Sequence, residues 1–306
     1  MPREYTASKE EVKSLRNNNK RPFFVFLLPS LLLFTLIFIF PLATLIITSF
    51  CDWKVAGIPE FSGIKNYIML FTQDPFFFPA LLNNLKWILL QTTVHVLIAL
   101  LVALTLSKKP FYWKFARTIY MVPNFVAGAA IGLMFMCLLN PQFGLVNVIL
   151  RFITGNPDFQ QYWFMDRNTA FGSVTSTWLF YAGTSMLLIL TEITSIDRDL
   201  FEAAYVDGAD ELQMSIYIVL PLLRNIIGTC TILGATSMLQ RLDIIQLTTK
   251  GGPGHATMNL PIFIYQRGMM ENNYGLANAA GTMLLLLGIC VVGIITRIYK
   301  VGDTNR

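Results

Sequence analysis

The side chains able to do chemistry in this 306-residue chain are few, and most lie outside its long apolar stretches. The apolar stretches contain no Ser-His-Asp arrangement and no paired carboxylates, and the two histidines and four cysteines lack metal-ligand spacing. No G-x-x-x-x-G-K-[ST] loop for a nucleotide phosphate occurs. We therefore expect no enzyme activity, no metal site and no bound cofactor in this chain.

One segment carries the densest group of acidic side chains in the chain. It reads DRDLFEAAYVDGADELQMSIYIVLPLL, with E-A-A-x-x-x-G at residues 202–208 and I-x-L-P at 218–221. Glu and Ala favour a helix, and Asp197 or Asp199 caps or favours its N-terminus. Gly208 permits a sharp turn that a residue with a side chain resists. The spacing predicts two short helices joined at Gly208; an ordinary acidic, solvated loop is the alternative.

A second group of candidates lies within the apolar stretches, where polar side chains are costly and tend to face a bundle interior. Four residues are spaced i, i+3, i+4, i+7, which predicts one stripe of one helix: Thr177, Phe180, Tyr181 and Thr184. Two further polar groups are Tyr120 with Asn124 beside Pro123, and Gln240, Arg241 and Asp243. Sugars have hydroxyl edges and apolar faces, so such side chains suit sugar binding. The alternatives are helix packing for the stripe and a surface ion pair for Arg241 and Asp243.

Long apolar stretches must position these residues. Hydrophobic residues make up 54% of the chain and charged residues 13%, against about 25% charged in an ordinary soluble domain. Six stretches, one of them broken only by Arg224, are long enough to cross about 30 Å of hydrocarbon. They are 22–51, 87–107, 118–150, 168–191, 212–240 and 272–296. The sequence predicts an all-α membrane protein with six transmembrane helices.

The distribution of Lys and Arg predicts the orientation. The net charge of +5 does not indicate nucleic-acid binding, because the basic residues flank apolar stretches rather than forming one patch. They cluster in 1–21, 108–117 and 297–306, which lie on one side of the membrane if there are six spans. Both termini are therefore predicted to be cytoplasmic. The acidic segment falls on the same side and breaks this bias, which calls for a specific explanation.

The motif at residues 202–221 resembles the EAA loop of binding-protein-dependent ABC importer permeases, at its full spacing. Other stretches are similar to the maltose-type sugar permease family: PSLLLFTLIFIFPLATLIITSFCDW, FSGIKNY, LLNNLKW and DIIQLTTKGGPGHATMNLPIFIYQRGMMENNYGLANAAG. The resemblance covers nearly the whole chain, with small departures at Lys250 and at Asn83–Asn84.

This resemblance implies a type I permease core whose cytoplasmic coupling loop, residues 194–217, carries a coupling helix that docks in a cleft of a separate ATPase. The positions it implies for coupling are Glu202, Ala203, Ala204, Asp207, Gly208, Ile218, Leu220 and Pro221. It also implies sugar contacts from the third, fourth and fifth spans: Tyr120, Asn124, Thr177, Phe180, Tyr181, Thr184, Gln240 and Arg241. The implied partners are a second related permease, an ABC ATPase dimer holding ATP and magnesium, and an extracytoplasmic sugar-binding protein, at a bacterial inner membrane.

The expected organisation has four parts. Residues 1–21 form a cytoplasmic segment, 22–50 a first helix that wraps the outside, 81–296 a five-helix core with the coupling loop, and 297–306 a cytoplasmic tail. The implied function is import of a sugar, and an oligosaccharide is the cargo it favours. Three alternatives remain open: the same machine carrying glycerol 3-phosphate or a polyol, an ion-coupled secondary transporter, and a membrane-embedded enzyme or scaffold, which would not need to co-purify with an ATPase. The first needs several basic cavity residues and the second needs carboxylates within the spans.

Overall fold

The computed structural model describes residues 20–55 and 57–302, with side chains from residue 26 onward, and this part of the chain is almost wholly helical. Most of the predicted cytoplasmic segment 1–21 and residues 303–306 of the predicted tail lie outside the described residues. Within the described residues, the strands are β1 (Cys51–Asp52) and β2 (Glu60–Phe61), which pair antiparallel.

The helices are numbered in chain order. They are α1 (Lys20–Phe34), α2 (Phe40–Ser49), α3 (Lys65–Thr72), α4 (Phe77–Leu90), α5 (Val96–Ser107), α6 (Trp113–Met121), α7 (Gly128–Leu138), α8 (Leu145–Thr154), α9 (Ala170–Ser176), α10 (Gly183–Ser195), α11 (Arg198–Val206), α12 (Glu211–Met214), α13 (Leu220–Leu222), α14 (Arg224–Leu239), α15 (Asp243–Thr248), α16 (Leu260–Tyr265) and α17 (Tyr274–Tyr299). Single π-helical turns occupy Thr35–Ile39, Gln91–His95, Ser215–Val219 and Gln266–Met270, and a 3₁₀ turn occupies Val122–Phe125.

Three continuous helical stretches are long and apolar enough to cross a membrane: Phe26–Ser49, Phe77–Ser107 and Tyr274–Tyr299. Two further pairs of helices qualify if each pair is counted as one span with a bend at a short break. Trp113–Phe125 and Gly128–Leu138 meet at a bend of 105°, and Glu211–Leu222 and Arg224–Thr248 meet at a bend of 67°. By length and composition the described residues thus offer three to five candidate spans, where the sequence predicts six. The third and fifth predicted spans are the bent pairs.

The predicted fourth span, 168–191, is not one helix, which corrects the prediction of a single stripe over 177–184. A turn at 177–182 separates α9 from α10. The Trp178 N–H donates to the Thr175 carbonyl, three residues back, at 3.3 Å. Such i→i+3 bonds tighten the last turn of a helix and end it. The four residues spaced as a helical stripe therefore do not share one face of one helix.

The first helix lies largely outside the rest of the protein. Every described side chain from Phe26 to Ala43 is exposed, and burial begins only near Thr48. There α2 packs against α17, where the Asn278 amide donates to the Thr48 hydroxyl at 2.7 Å. Because exposed leucines and phenylalanines are stable only against lipid, this surface is that of a membrane helix.

Two apolar clusters hold the remaining helices together. The larger surrounds Trp87 of α4, whose ring stacks on Phe171 at 4.9 Å and meets Trp178 edge-on at 5.4 Å. The Trp87 indole N–H donates to the Thr175 hydroxyl at 2.8 Å, so this buried polar group is satisfied. The smaller cluster joins α5, α10 and the start of α14 through residues such as Ala99 and Met186.

A largely buried ion pair links the loop before α4 to the π-helical turn before α17. The Arg267 guanidinium contacts the Asp74 carboxylate at 2.6 Å, with the two side chains 15% and 5% exposed. Arg267 also pairs with Glu271 and lies over the rings of Phe76 and Phe263 at 5.6 and 5.2 Å.

Asp74→Ala is expected to lower the free energy of unfolding by about 3 kcal/mol, because it leaves the guanidinium buried without one of its carboxylates. The matched control is Lys65→Gln, which breaks the exposed 2.8 Å pair with Asp52 and should cost at most about 1 kcal/mol. Thermal unfolding of the detergent-solubilised protein measures both. Equal effects of the two substitutions would show that burial of the Asp74 pair has no energetic consequence.

Candidate functional site

The coupling loop begins with a helix that is capped by its own sequence. The Asp197 carboxylate accepts a hydrogen bond from the Asp199 N–H at 3.3 Å, so Asp197 is the N-cap of α11. Asp199 lies in the first turn, where its charge is favourable. Glu202 and Ala203 face solvent and Ala204 is half-buried. The short helix predicted around the E-A-A motif is therefore present.

Gly208 ends this helix in a left-handed conformation, with φ +80°. The Asp207 N–H closes the helix by donating to the Ala203 carbonyl at 3.1 Å, and Asp207 itself is exposed. Two residues later Asp210 and Gln213 form a capping box, with N–H to side-chain distances of 2.7 and 2.9 Å. The loop thus consists of two capped helices joined by a left-handed glycine.

The I-x-L-P end of the motif leads into a bend rather than straight into a span. The chain turns by 67° between Leu222 and Arg224. Ile218 and Leu220 are half-buried and Pro221 is exposed. Two intervening residues that sequence reasoning passed over, Val219 and Leu223, are buried at 5% and 0% exposure and anchor the bend in the smaller cluster.

The coupling loop presents apolar side chains to solvent. Tyr205, Val206, Leu212 and Tyr217 are all strongly exposed, Val206 at 86%. On the other side of the loop, Glu211 pairs with Lys108, and a cavity of about 370 Å³ separates the loop from the end of α5. Exposed apolar side chains on an otherwise charged loop are typical of an interaction surface.

A cavity of about 360 Å³ is lined by four segments, 91–95, 123–131, 177–185 and 233–244. It brings together five of the eight residues predicted to line a sugar site: Asn124, Thr177, Tyr181, Thr184 and Arg241. Asn124 and Thr184, from different segments, are joined by a 3.1 Å hydrogen bond between the Thr184 hydroxyl and the Asn124 amide oxygen. Whether these residues contact a cargo remains a prediction.

Three of the predicted lining residues lie elsewhere. Phe180 and Gln240 are exposed, and neither borders the cavity. Phe180 is turned outward because it sits in the 177–182 turn rather than on a helix. The side chain of Tyr120 borders a separate apolar groove with Leu101 and Ala116, while its carbonyl accepts the Asn124 amide at 3.1 Å.

Arg241 and Asp243 both border the cavity instead of forming an ion pair. Within the described part of the chain, no carboxylate lies within 4.0 Å of the Arg241 guanidinium, which sits over the Trp178 ring at 5.3 Å. Asp243 lies against Gly128, where an added Cβ would be 1.7 Å from its Oδ2. A positive and a negative group therefore face the same space.

Among the cavity residues that were not predicted as lining residues from the sequence, two come from the second predicted span. Gln91 and His95 occupy the π-helical turn between α4 and α5, and both are buried. The His95 Nδ1 lies 2.9 Å from the Leu179 carbonyl, a contact that joins the π-helical turn to the 177–182 turn. A Gln inside an apolar stretch is the signal that was available, but nothing in the residue spacing predicts a π-helical turn.

Comparisons with known proteins agree with this architecture. A family model described as the binding-protein-dependent transport system inner membrane component matches residues 95–300. The chain is 30% identical over 296 residues to the probable ABC transporter permease protein YurN of Bacillus subtilis, covering 94% of this chain and 98% of that protein. It is 31% identical over 281 residues to the sulfoquinovosyl glycerol transport system permease protein SmoG of Agrobacterium fabrum, covering 90% of each.

A solved structure has the same fold. A chain of a bacterial ABC transporter involved in the import of the acidic polysaccharide alginate superposes with a TM-score of 0.81 at 24% identity, covering 96% of this chain and 100% of that chain. This likeness confirms the predicted all-α permease fold.

Proposed function

We propose that this chain, which belongs to the family of inner membrane components of binding-protein-dependent transport systems, is the permease subunit of an ATP-driven sugar importer. The observation that carries the proposal is the coupling loop: a capped, solvent-exposed helix with unpartnered apolar side chains, in a chain whose sequence has no nucleotide-binding loop. Such a surface fits a separate ATPase that supplies the energy. The chain itself is then not an enzyme.

The proposed assembly contains an ABC ATPase dimer, which binds ATP and magnesium, a second related permease and an extracytoplasmic sugar-binding protein. The coupling loop faces the ATPase, so that both termini lie in the cytoplasm and the chain crosses a bacterial inner membrane several times. The basic 108–117 connection, whose Lys108 pairs with Glu211 of the coupling loop, supports this orientation. The solved relative, an alginate importer, supports the importer assignment.

Transport in this proposal follows alternating access. The binding protein delivers sugar to the end of the permease opposite the coupling loop. Closure of the ATPase dimer moves α11, and the buried anchors Val219 and Leu223 transmit that movement to α14. Because α14 and the segment after it border the cavity, the movement changes its access to either side of the membrane.

The cavity supports a sugar better than it supports a phosphorylated cargo or ion coupling. The relative SmoG is named for transport of sulfoquinovosyl glycerol and the solved relative for alginate, both carbohydrate cargoes. A phosphate would need several basic groups, and Arg241 is the one Lys or Arg among the cavity-lining residues of the described part. Asp243 is the single cavity carboxylate in that part and lies beside Arg241, which gives little support to ion coupling.

Glu202→Lys tests the proposal in the complex reconstituted with its neighbouring permease, ATPase and binding protein. We expect the variant to lose at least about tenfold of the sugar-stimulated ATPase activity, because an exposed charge at a docking surface is reversed. The control is Glu60→Lys, a reversal of an exposed acid on β2, which should retain the ATPase subunit and its basal activity. A Glu202→Lys complex that assembles and couples like wild type would overturn the coupling assignment.

A further inference from the structure

The wall of the cavity contributed by the second predicted span is shaped by a π-helical turn. Phe77–Ser107 would be one regular helix but for the turn at Gln91–His95. Single π-helical turns inserted in α-helices frequently occur at functional sites, because they redirect side chains. Here the turn directs Gln91 and His95, 5% and 6% exposed, toward the cavity.

Gln91 has no partner for its side-chain oxygen. Among the described residues, three buried side-chain polar atoms lack a hydrogen bond, and two of them belong to residues that border this cavity: Gln91 Oε1 and Arg241 Nε. His95, on the same turn, is satisfied by the Leu179 carbonyl. A buried acceptor and a buried donor that remain unpaired each cost free energy, which a ligand with complementary groups recovers.

A glycine on the neighbouring helix leaves room for the Gln91 side chain. Gly234 of α14 faces it, and a Cβ added there would lie 3.2 Å from Gln91 Cγ. A glycine opposite a long polar side chain allows that side chain to lie between two helices instead of folding away. The amide group is thereby kept at the cavity wall.

The charge of the cavity indicates the class of cargo. Arg241 and Asp243 are the formally charged lining residues in the described part, and their charges cancel. An anionic cargo would meet the Asp243 carboxylate, and a cation would meet the guanidinium. A neutral polyhydroxyl ligand donates to one group, accepts from the other and places its apolar face on Trp178 or Tyr181.

We propose that Gln91 is a cargo-recognition residue, whose Oε1 accepts a hydrogen bond from a hydroxyl of an uncharged sugar while Arg241 Nε donates to another oxygen of the same molecule. This rests on the proposed function as a sugar importer and adds to it the neutral class of cargo and the contribution of the second span. The acidic cargo of the solved relative is thus not expected here.

The test uses the complete importer in proteoliposomes with its own binding protein. Maltose, sucrose and melibiose serve as neutral probes, with glucuronate and glycerol 3-phosphate as charged ones. Sugar taken up per ATP hydrolysed is measured for wild type, Gln91→Leu and Gln91→Met. The matched control is Thr93→Val, on the same π-helical turn but exposed, with its hydroxyl bonded to the Leu89 carbonyl.

We expect uptake of a neutral probe per ATP to fall at least about tenfold in both Gln91 variants and to stay within about twofold of wild type in Thr93→Val, with ATPase stimulation by the liganded binding protein unchanged in all three. A merely structural role for Gln91 would instead lower assembly and basal ATPase activity. Normal uptake by an assembled Gln91 variant, or wild-type uptake of charged probes alone, overturns this proposal but leaves the importer assignment intact. If a sugar that the binding protein binds does not stimulate the wild-type ATPase, the proposed function itself is in error.

Discussion

Replacing Gly208 with valine is expected to reduce ATP-driven uptake by at least about tenfold, whereas asparagine at the same position should preserve most of it. The φ of Gly208 is +80°, a left-handed conformation that asparagine tolerates and a β-branched residue resists. A non-glycine residue held there costs about 1–3 kcal/mol. Because α11 is only nine residues long, we expect the chain to relieve this strain by moving the helix.

The comparison isolates backbone conformation from packing. A Cβ added at Gly208 meets nothing within 4 Å apart from its own chain neighbours, so the Cβ that both variants add has room. Uptake and ATPase activity are measured in the same proteoliposomes, with co-purification of the ATPase subunit as the readout of docking. A valine variant that docks and transports as well as the asparagine variant would show that the left-handed turn is dispensable.

Replacing Gly183 with alanine is expected to destabilise the protein by about 3 kcal/mol, the upper part of the range for overpacking. An added Cβ would lie 2.1 Å from the Tyr120 carbonyl oxygen and 2.4 Å from the Asn124 amide nitrogen. The carbonyl belongs to the backbone of α6 and cannot rotate away, so the segments on either side of the cavity must separate.

Gly172→Ala is the matched control for this effect. Gly172 lies in α9, and a Cβ there meets nothing within 4 Å. Its replacement should leave stability unchanged or raise it by up to about 1 kcal/mol, since alanine favours a helix more than glycine does. Thermal unfolding in detergent compares the two. Similar melting temperatures for both variants would mean that α6 and α10 do not need their close approach.

The coupling loop was predictable from the sequence because its structure is determined locally. Asp197 caps its own helix, Gly208 makes its own turn, and Asp210 closes a box with Gln213 three residues away. Each of these interactions spans a few residues, so the spacing of the motif records them directly. The long helices were predictable for a similar reason, since their apolar composition is a local property.

The cavity was only partly predictable because its shape depends on contacts between distant segments. Helical spacing placed Phe180 beside Thr177 and Tyr181, but the helix ends at a turn that packs Trp178 against Trp87, about ninety residues earlier. The same holds for Gln91, whose direction is set by a π-helical turn opposite Gly234. Periodicity assumes a regular helix, and these positions are where the helices are irregular.

The ion pair between Asp74 and Arg267 could not be predicted from the sequence. The two residues are 193 positions apart, and neither belongs to a recognisable motif. Only the packing of α4 against α16 brings their neighbours Phe77 and Phe263 into contact, with ring centroids 5.8 Å apart.

The way the first helix is held has a consequence for how the protein responds to bilayer thickness. Phe26–Ser49 has 24 residues, about 36 Å at about 1.5 Å per residue, which exceeds the about 30 Å of a typical hydrocarbon core. A helix that is too long tilts or thickens the bilayer around it. Because its described contacts with α17 come from α2, at the C-terminal end of this helix, we expect lipids of different chain length to change the tilt of the N-terminal part while α2 stays packed on α17.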